Sequence, residues 1–432
     1  MKRFFIYLII ISLIVVVSCS KKNDLTEPEA EIVTPTTPTT PTVLTADFTV
    51  TTNLPFVTLT FDASTCYDPE DAVSNLLVRW DYENDGIYDT EWTNLKTVDI
   101  DLTVYSTPGT YSVRLCVMDT SSNTNVVIKD VDSSLMLSWV TGSDIYHEIV
   151  ISGNYAYCPH DNYGIRVYDI SDPTTPFQET TCYHSTGRDC WDVALSGNYA
   201  FLAYDLSELD VFNVSDLSPT SLDRVTNVKE STGQMYGLAT AGDYLYIANG
   251  WGGLKIMIIT NPEAPVTIGN LPMTHSRDVE VAGDYAYVAD ENNGLRIVCI
   301  TNPEIPVLYG TYDTAGIAYG VAVSGNYVYL ADGNCGMKIF NVSDPTSPTI
   351  TATNALSGAE CHDIDIIGNY VFVADRTAGV WVFDVSNPAS PVLVKNITVP
   401  SADIYAIGIS GDYLYMSDEG STYKFIAMRI FE

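Results

Sequence analysis

Gly283-Asp284-Tyr285-Ala286-Tyr287-Val288-Ala289-Asp290, and after Gly294 the run Leu295-Arg296-Ile297-Val298-Cys299-Ile300-Thr301-Asn302-Pro303, decide the fold. The first run follows a tight Gly-Asp turn and alternates as a half-buried strand does. Gly294 ends a second tight turn, and a second strand follows. Asn302-Pro303 then makes a corner, because an Asx side chain and a proline ring both preset a turn. A further strand, Pro306-Val307-Leu308-Tyr309-Gly310, completes the unit. The opening Gly-Asn/Asp-Tyr turn recurs at Gly153, Gly197, Gly242, Gly283, Gly325, Gly368 and Gly411, at spacings of 44, 45, 41, 42, 43 and 43.

Four short strands every ~40–45 residues is the period of a β-propeller blade. The ends of the repeat region argue for a closed ring. The last unit stops at Ile426-Ala427-Met428-Arg429-Ile430-Phe431, before any corner or fourth strand. The first is preceded by an orphan strand, Leu135-Met136-Leu137-Ser138-Trp139-Val140, which aligns with the fourth strand of the other units. Pairing the two would give seven blades and remove exposed sheet edges. The units resemble the LVIVD repeat of bacterial and archaeal surface proteins, through Leu295-Arg296-Ile297-Val298-Cys299-Ile300 and Val380-Trp381-Val382-Phe383-Asp384-Val385. The resemblance covers roughly residues 133–432. The second unit departs from it: Ser215-Asp216-Leu217 lacks the proline, and its middle turn lacks the glycine.

Residues 45–131 form a separate all-β module. Tyr111, Val113, Leu115 and Val117 share one strand face, as a sandwich core requires, and Cys116 points the other way. Phe61-Asp62-Ala63-Ser64, Tyr67-Asp68-Pro69-Glu70, Trp80-Asp81 and Tyr111-Ser112-Val113-Arg114-Leu115 resemble a PKD domain, an immunoglobulin-like β-sandwich that serves as a spacer or weak binder. Within it, Asp81, Glu83, Asp85 and Asp89 around Gly86 imitate the start of a calcium loop. No helices flank the loop and Glu91 comes too early to close it, so a plain acidic turn is the competing reading.

Residues 1–18 read as a lipoprotein signal peptide. Lys2 and Arg3 precede the apolar stretch Phe4–Val17, which ends in Val16-Val17-Ser18-Cys19. This resembles a bacterial lipobox, which implies lipidation of Cys19. Ser20 in place of Asp implies the outer membrane of the cell envelope. Residues 19–44 hold the lipidated cysteine and a Pro/Thr-rich tether, whose prolines favour an extended spacer. The chain carries a formal charge of −34, which repels phosphate backbones and argues against nucleic acid as a partner.

Call the strands of each unit a to d, from the axis outward. Six residues before each marker glycine, where strand a begins, stand His147, Trp191, Tyr236, Arg277, Tyr319, His362 and Tyr405. The topology gathers these large hydrogen-bonding side chains around one mouth of the channel. The b–c turns on the same face add His160, Tyr204, Asn249, Asp290, Asp332, Asp375 and Asp418. Convergent aromatic and Arg side chains favour ligand binding. The structural alternative is that the ring packs between blades while the Asp side chains cap their own turns. No nucleophile elbow, Walker loop, HExxH helix or CxxC pair is present. His147 and His362, with Glu148 and Asp363 beside them, are the one conceivable metal or acid–base pair, but alternation sends those acids to the other strand face. The reading is a non-catalytic, lipid-anchored surface protein that binds a protein or glycan through the ring face, with no cofactor unless calcium. The alternatives are a propeller hydrolase or lyase acting on an extracellular polymer, and a purely structural envelope protein.

Overall fold

The computed structural model describes residues 44–430 apart from 54–57, 83, 102–109, 133–136, 142–144, 161–163, 184–187, 219–221, 223, 357–359, 400–401 and 421–422. The signal segment, Cys19 and the tether up to residue 43 lie outside the described residues. None of the described helices is long and apolar enough to cross a membrane.

The first part of the chain forms two three-stranded antiparallel sheets. One joins Thr49–Asn53, Thr58–Asp62 and Thr97–Asp101; the other joins Leu77–Asp81, Thr110–Met118 and Thr124–Asp132. Alternation along Thr110–Met118 buries Val113, Leu115 and Val117 completely. They share a core with Phe48, Phe61 and Trp80, whose ring centroids stand 5.1 Å (Phe48–Trp80) and 5.4 Å (Phe61–Trp80) apart. Cys116 sits on the opposite face, as expected, yet it too is buried. Tyr88 shares a hydrogen bond with it, and the Arg79 guanidinium lies 3.6 Å over the Tyr88 ring. Cys66, Cys116, Cys158, Cys190, Cys299, Cys335 and Cys361 are free thiols.

Seven four-stranded antiparallel sheets follow. Six take their strands consecutively. The seventh takes three from Ile404–Ser410, Tyr413–Asp418 and Tyr423–Arg429, and its fourth from Leu137–Thr141, ahead of the first unit. Phe425 faces Val140 and Ile426 faces Trp139 across that closing pair. From unit 2 onward each a strand packs against the next. Ile404–Ser410 packs back onto Val150–Ser152 of unit 1, so the order is cyclic. The cores lie between adjacent sheets. Leu238, Leu245 and Ile247 of unit 3, for example, pack on Phe201, Leu209 and Val211 of unit 2.

The turns explain why the repeat reads so clearly. All seven marker glycines adopt φ between +56° and +59°, which costs a residue with a Cβ but not glycine. The residue after each marker glycine then accepts a backbone bond from the residue just past strand c, from Ile170 N–H to the Asn154 carbonyl (2.8 Å) through Ile430 N–H to that of Asp412 (2.6 Å). The second unit keeps this geometry despite its sequence. Asp216 makes the Asx turn without a proline, accepting from Ser218 N–H at 3.0 Å. Its middle turn lacks glycine, and Leu206 and Ser207 are held at φ +56° and +57° instead.

Candidate functional site

Each ring residue enters strand a through a bulge. The Arg277 amide donates to the Ala289 carbonyl at 2.8 Å, while Asp278 is the register partner of that same Ala289. Tyr236 and Gly237 oppose Ala248 in the same way, and Tyr319 and Gly320 oppose Ala331. In units 2 and 6 the register shifts between Cys190 and Asp192 and between Cys361 and Asp363. A bulge sets two residues opposite one and suspends alternation at that point. The ring residues and the acids that follow them therefore line one cavity of about 70 Å³. This corrects the expectation that Glu148 and Asp363 turn away from it.

The seven ring side chains are all half-buried and touch in a closed circuit. His147 stacks on Trp191 at 4.3 Å, and Trp191 meets Tyr236 edge-on at 5.3 Å. The Arg277 guanidinium lies 4.3 Å over Tyr236 and 5.8 Å from Tyr319. Tyr319 stacks on His362 at 4.3 Å, His362 meets Tyr405 at 4.6 Å, and Tyr405 returns to His147 at 5.5 Å. Arg277 is fixed by Glu291, which accepts from its Nε at 2.6 Å. The Trp191 indole N–H is buried without an acceptor among the described residues.

Beneath the ring lies a layer of carboxyls that sequence reading missed. Asp192, Asp278 and Asp363 each accept one bond from the next residue's N–H and one from the following sheet. Asp278 takes Val279 (2.7 Å) and Val321 (2.8 Å); Asp363 takes Ile364 (2.7 Å) and Ile407 (2.8 Å); Asp192 takes Val193 and Leu238. The following sheets carry Gly237, Gly320 and Ala406 at the equivalent position. A Cβ on Gly237 would stand 2.7 Å from the Asp278 Cα. Acid and small residue thus alternate around the axis until the odd seventh place, Glu148. Glu280 and Asp365, two residues further down strand a than Asp278 and Asp363, add more charge. Burial pushes Asp278 and Asp365 up to about 6 and Asp363 up to about 7, with neighbouring carboxylates adding to the rise in Asp363. Burial and then mutual repulsion hold Glu148 and Asp192 well above the carboxylate range. The signal was in the sequence as four doublets: His147-Glu148, Trp191-Asp192, Arg277-Asp278 and His362-Asp363.

The two histidines do not form a pair, because Tyr405 stands between them. Burial, then Arg376 and Arg277, lowers His362 to about 4. No group of three metal-type ligands occurs among the described residues.

The b–c turn residues behave differently. All seven are buried. Asp290 accepts from His275 N–H (2.7 Å) and pairs with Arg296 (3.1 Å); Asp375 accepts from Glu360 N–H (3.1 Å) and from Trp381 Nε1 (3.0 Å). Asp418 accepts from Asp403 and Gly420 N–H, both at 2.8 Å, and Asp332 from the Thr314 hydroxyl at 2.6 Å. Asn249 donates to the Thr232 carbonyl, Tyr204 packs in the core between units 1 and 2, and His160 meets Tyr146 edge-on. Asn249, Asp290, Asp332, Asp375 and Asp418 thus tie their b–c turns to the d–a loops. On the same face Trp251 (66% exposed) and Leu206 (60% exposed) stand proud.

In the first module the acidic turn is closed by its own backbone. Asp81 is buried and accepts from Asp85 N–H (3.1 Å) and Gly86 N–H (3.0 Å); Asp89 accepts from Tyr82 N–H and Asp85 from Ile87 N–H, both at 2.7 Å. Glu83 lies outside the described residues.

The LVIVD repeat matches the chain six times, at residues 146–182, 187–227, 232–272, 274–314, 315–353 and 358–399. Among solved structures the chain is similar to the WD40 β-propeller domain of Doa1 (11% identity, TM-score 0.56, 68% of this chain and 95% of that one). It is also similar to a chain of the mitotic checkpoint complex (10%, 0.57, 68% and 95%) and to the computationally designed Ika8 protein (10%, 0.52, 68% and 96%). At these identities the likeness concerns the fold alone: an all-β chain with repeated four-stranded sheets of the β-propeller kind. No curated protein matches the chain.

Proposed function

We propose, for a chain that belongs to the LVIVD repeat family, a non-catalytic surface lipoprotein whose β-propeller binds a protein or glycan through the ring face. In this reading the propeller has seven blades, spans residues 133–432 and closes through the strand ahead of unit 1. A PKD-like sandwich at 45–131 acts as a spacer, and Cys19 carries a lipid that holds the molecule to the outer membrane through the 19–44 tether. One observation carries the binding reading. Seven half-buried ring side chains converge over a single cavity, while five of the polar residues beside them, Asn249, Asp290, Asp332, Asp375 and Asp418, are held in structural hydrogen bonds. Exposed Trp251 and Leu206 enlarge that face, and aromatic side chains of this kind dominate binding energy in known interfaces. Catalysis is the weaker reading. The two histidines are separated by Tyr405, and a cavity of about 70 Å³ under a closed ring leaves little room for a scissile bond.

The test uses the full lipidated chain in detergent as bait for envelope proteins and glycans. Trp191→Ala and Tyr319→Ala should each weaken whatever is captured by at least about tenfold, as loss of a hot-spot side chain does, with folding retained. Unchanged affinity in both counts against the ring. Cys19→Ala should move the protein from the membrane to the soluble fraction; continued membrane retention would remove the lipid anchor.

A further inference from the structure

We infer that the cleft between units 3 and 4 holds a second binding site, separate from the ring, which takes a small molecule carrying a carboxylate on an apolar body. A cavity of about 320 Å³ opens there; its walls include Leu271 and Met273 at the end of unit 3 and Asp290, Arg296 and Leu308 of unit 4. The repeat itself indicates what belongs in this place. In the preceding cleft the chain supplies a carboxylate of its own: Glu230 accepts from the Lys255 ammonium at 2.6 Å and from the Thr267 hydroxyl. Strand pairing carries these positions forward one unit. Val228 pairs with Leu209, and Leu271 with Leu254, so Glu230 and Met273 each stand two residues further on. Lys255 and Arg296 are each second in strand c. Thr267 pairs with Met257 and Leu308 with Val298, in each case just past the bulge. Between units 3 and 4 the cation therefore remains, while the carboxylate has become a methionine and the hydroxyl a leucine. Met273, Arg296 and Leu308 all line the cavity.

The guanidinium is equipped for an incoming anion. Its Nε donates to Asp290 at 3.1 Å, and neither Nη bonds to a described residue. Neither Nη is enclosed, since the buried nitrogens without a partner do not include them. In unit 5, by contrast, Lys338 gives its ammonium to the Cys335 carbonyl at 2.6 Å. Arginine carries its donors in a planar fork, so the Nη edge that Asp290 leaves can take a carboxylate in paired bonds. Asp290 also accepts from His275 N–H (2.7 Å) and Asn293 Nδ2 (3.2 Å), so it leaves part of the guanidinium charge to a ligand. Leu271, Met273 and Leu308 set the rest of the ligand, because their apolar surface favours an aliphatic or aromatic body. The volume stands at the small end of ligand sites, which suits a small acid rather than a polymer.

Titration calorimetry on the full lipidated chain in detergent tests this with isocaproate and hydrocinnamate, two water-soluble acids, set against isocaproamide and a tripeptide ending in leucine. At least one acid should bind, and the uncharged amide should bind at least about tenfold more weakly. Arg296→Gln should weaken acid binding by a similar factor. Met273→Glu returns to this cleft the carboxylate that Glu230 supplies in the one before it. It fills the seat from within and should abolish acid binding. Because it leaves the Asp290–Arg296 pair in place, it serves if Arg296→Gln misfolds. Binding of neither acid, equal affinity for acid and amide, or full affinity in either variant overturns the inference. If only the peptide binds, the occupant is the end of a protein chain and the small-molecule site falls.

Discussion

Two sets of seven side chains share one face of this molecule and have opposite fates. The ring set, at the start of strand a, is half-buried and touches mainly itself. The turn set, between strands b and c, is fully buried, and five of its members, Asn249 and the four Asp, are spent on the loops beside it. Both are polar, both recur at the same spacing, and both point to one mouth in the sequence. What separates them is whether the backbone nearby already needs their hydrogen-bonding groups. A d–a loop arriving at a b–c turn brings unpaired N–H groups, and a buried N–H must be met. The turn Asp side chains meet it. The ring side chains bond to other side chains instead: the Tyr236 hydroxyl donates to Gln234 and the Arg277 Nε to Glu291, both at 2.6 Å.

The largest effect should come from the turn set. Asp290→Ala strands the His275 N–H and leaves Arg296, 19% exposed, without its partner. Breaking a buried pair from one side costs roughly 3–5 kcal/mol. Urea unfolding should show this loss. Once folded at low denaturant, the variant should bind ring ligands as before. A loss under about 1 kcal/mol, the worth of a solvated surface pair, would break the comparison by making the turn Asp as free as the ring.

The ring set should give the reverse. Tyr319→Ala removes a half-buried side chain that stacks on His362 at 4.3 Å. An aromatic pair is worth about 0.5–1.5 kcal/mol beyond its buried area, so the stability cost should stay near 2 kcal/mol while ligand affinity falls most. If Tyr319→Ala proves as destabilising as Asp290→Ala, the ring is packing and the two sets are one.

How much of this was legible follows from the same physics. The repeat, the strand order and the closing strand could be read because glycine at positive φ and Asx-Pro corners write turns directly into sequence. The ring could be read because it keeps a fixed distance from the marker glycine. The carboxyl layer could not be read by alternation, since the bulge at Arg277-Asp278 turns two successive residues toward one cavity. Its trace, the acid after each large residue in four units and Gly237, Gly320 and Ala406 in three others, makes sense only once the bulge is known. Nor could burial of Cys116 be read from its strand, because the cover comes from Tyr88 in a distant turn.

The carboxyl layer yields a pH prediction that sharpens the contrast. Asp278 and Asp365 titrate at about 6 and Asp363 at about 7 in the folded chain, because burial resists their ionisation. Unfolded carboxyls titrate near 4, so the folded state holds protons more tightly. Stability from these groups is fully present below pH 4 and drains away as pH rises through 6 and 7. His362 works the other way: lowered to about 4, it favours the folded state above the ordinary histidine range and loses that advantage as pH falls through 4. Three acids outweigh one histidine, with Arg277 the one permanent cation in the ring. The melting temperature should therefore be higher at pH 5 than at pH 8, by a few degrees. Asp278→Asn and Asp363→Asn together should flatten the slope, whereas Asp375→Asn in the turn set should leave it intact. A wild-type profile that rises from pH 5 to pH 8 would mean the layer is solvated and the channel open.

The smallest effect concerns the one unit that breaks the turn rule. Leu206 is held at φ +56° with its side chain 60% exposed, in a turn whose closing residue, Glu208, stands where units 4 and 5 have Gly294 and Gly336. The left-handed region costs a residue with a Cβ roughly 1–2 kcal/mol, and an exposed leucine recovers little of that by burial. Leu206→Gly should relieve the strain and stabilise the chain by about 0.5–1 kcal/mol after the extra backbone entropy of glycine is charged. Strain that persists without a packing return is a common mark of a working surface, and Leu206 stands on the same face as the ring and Trp251. A stabilised Leu206→Gly that also binds ring ligand more weakly would place this turn with the ring set. Stabilisation with affinity unchanged would make unit 2 a tolerated irregularity, and confine the working surface to the mouth.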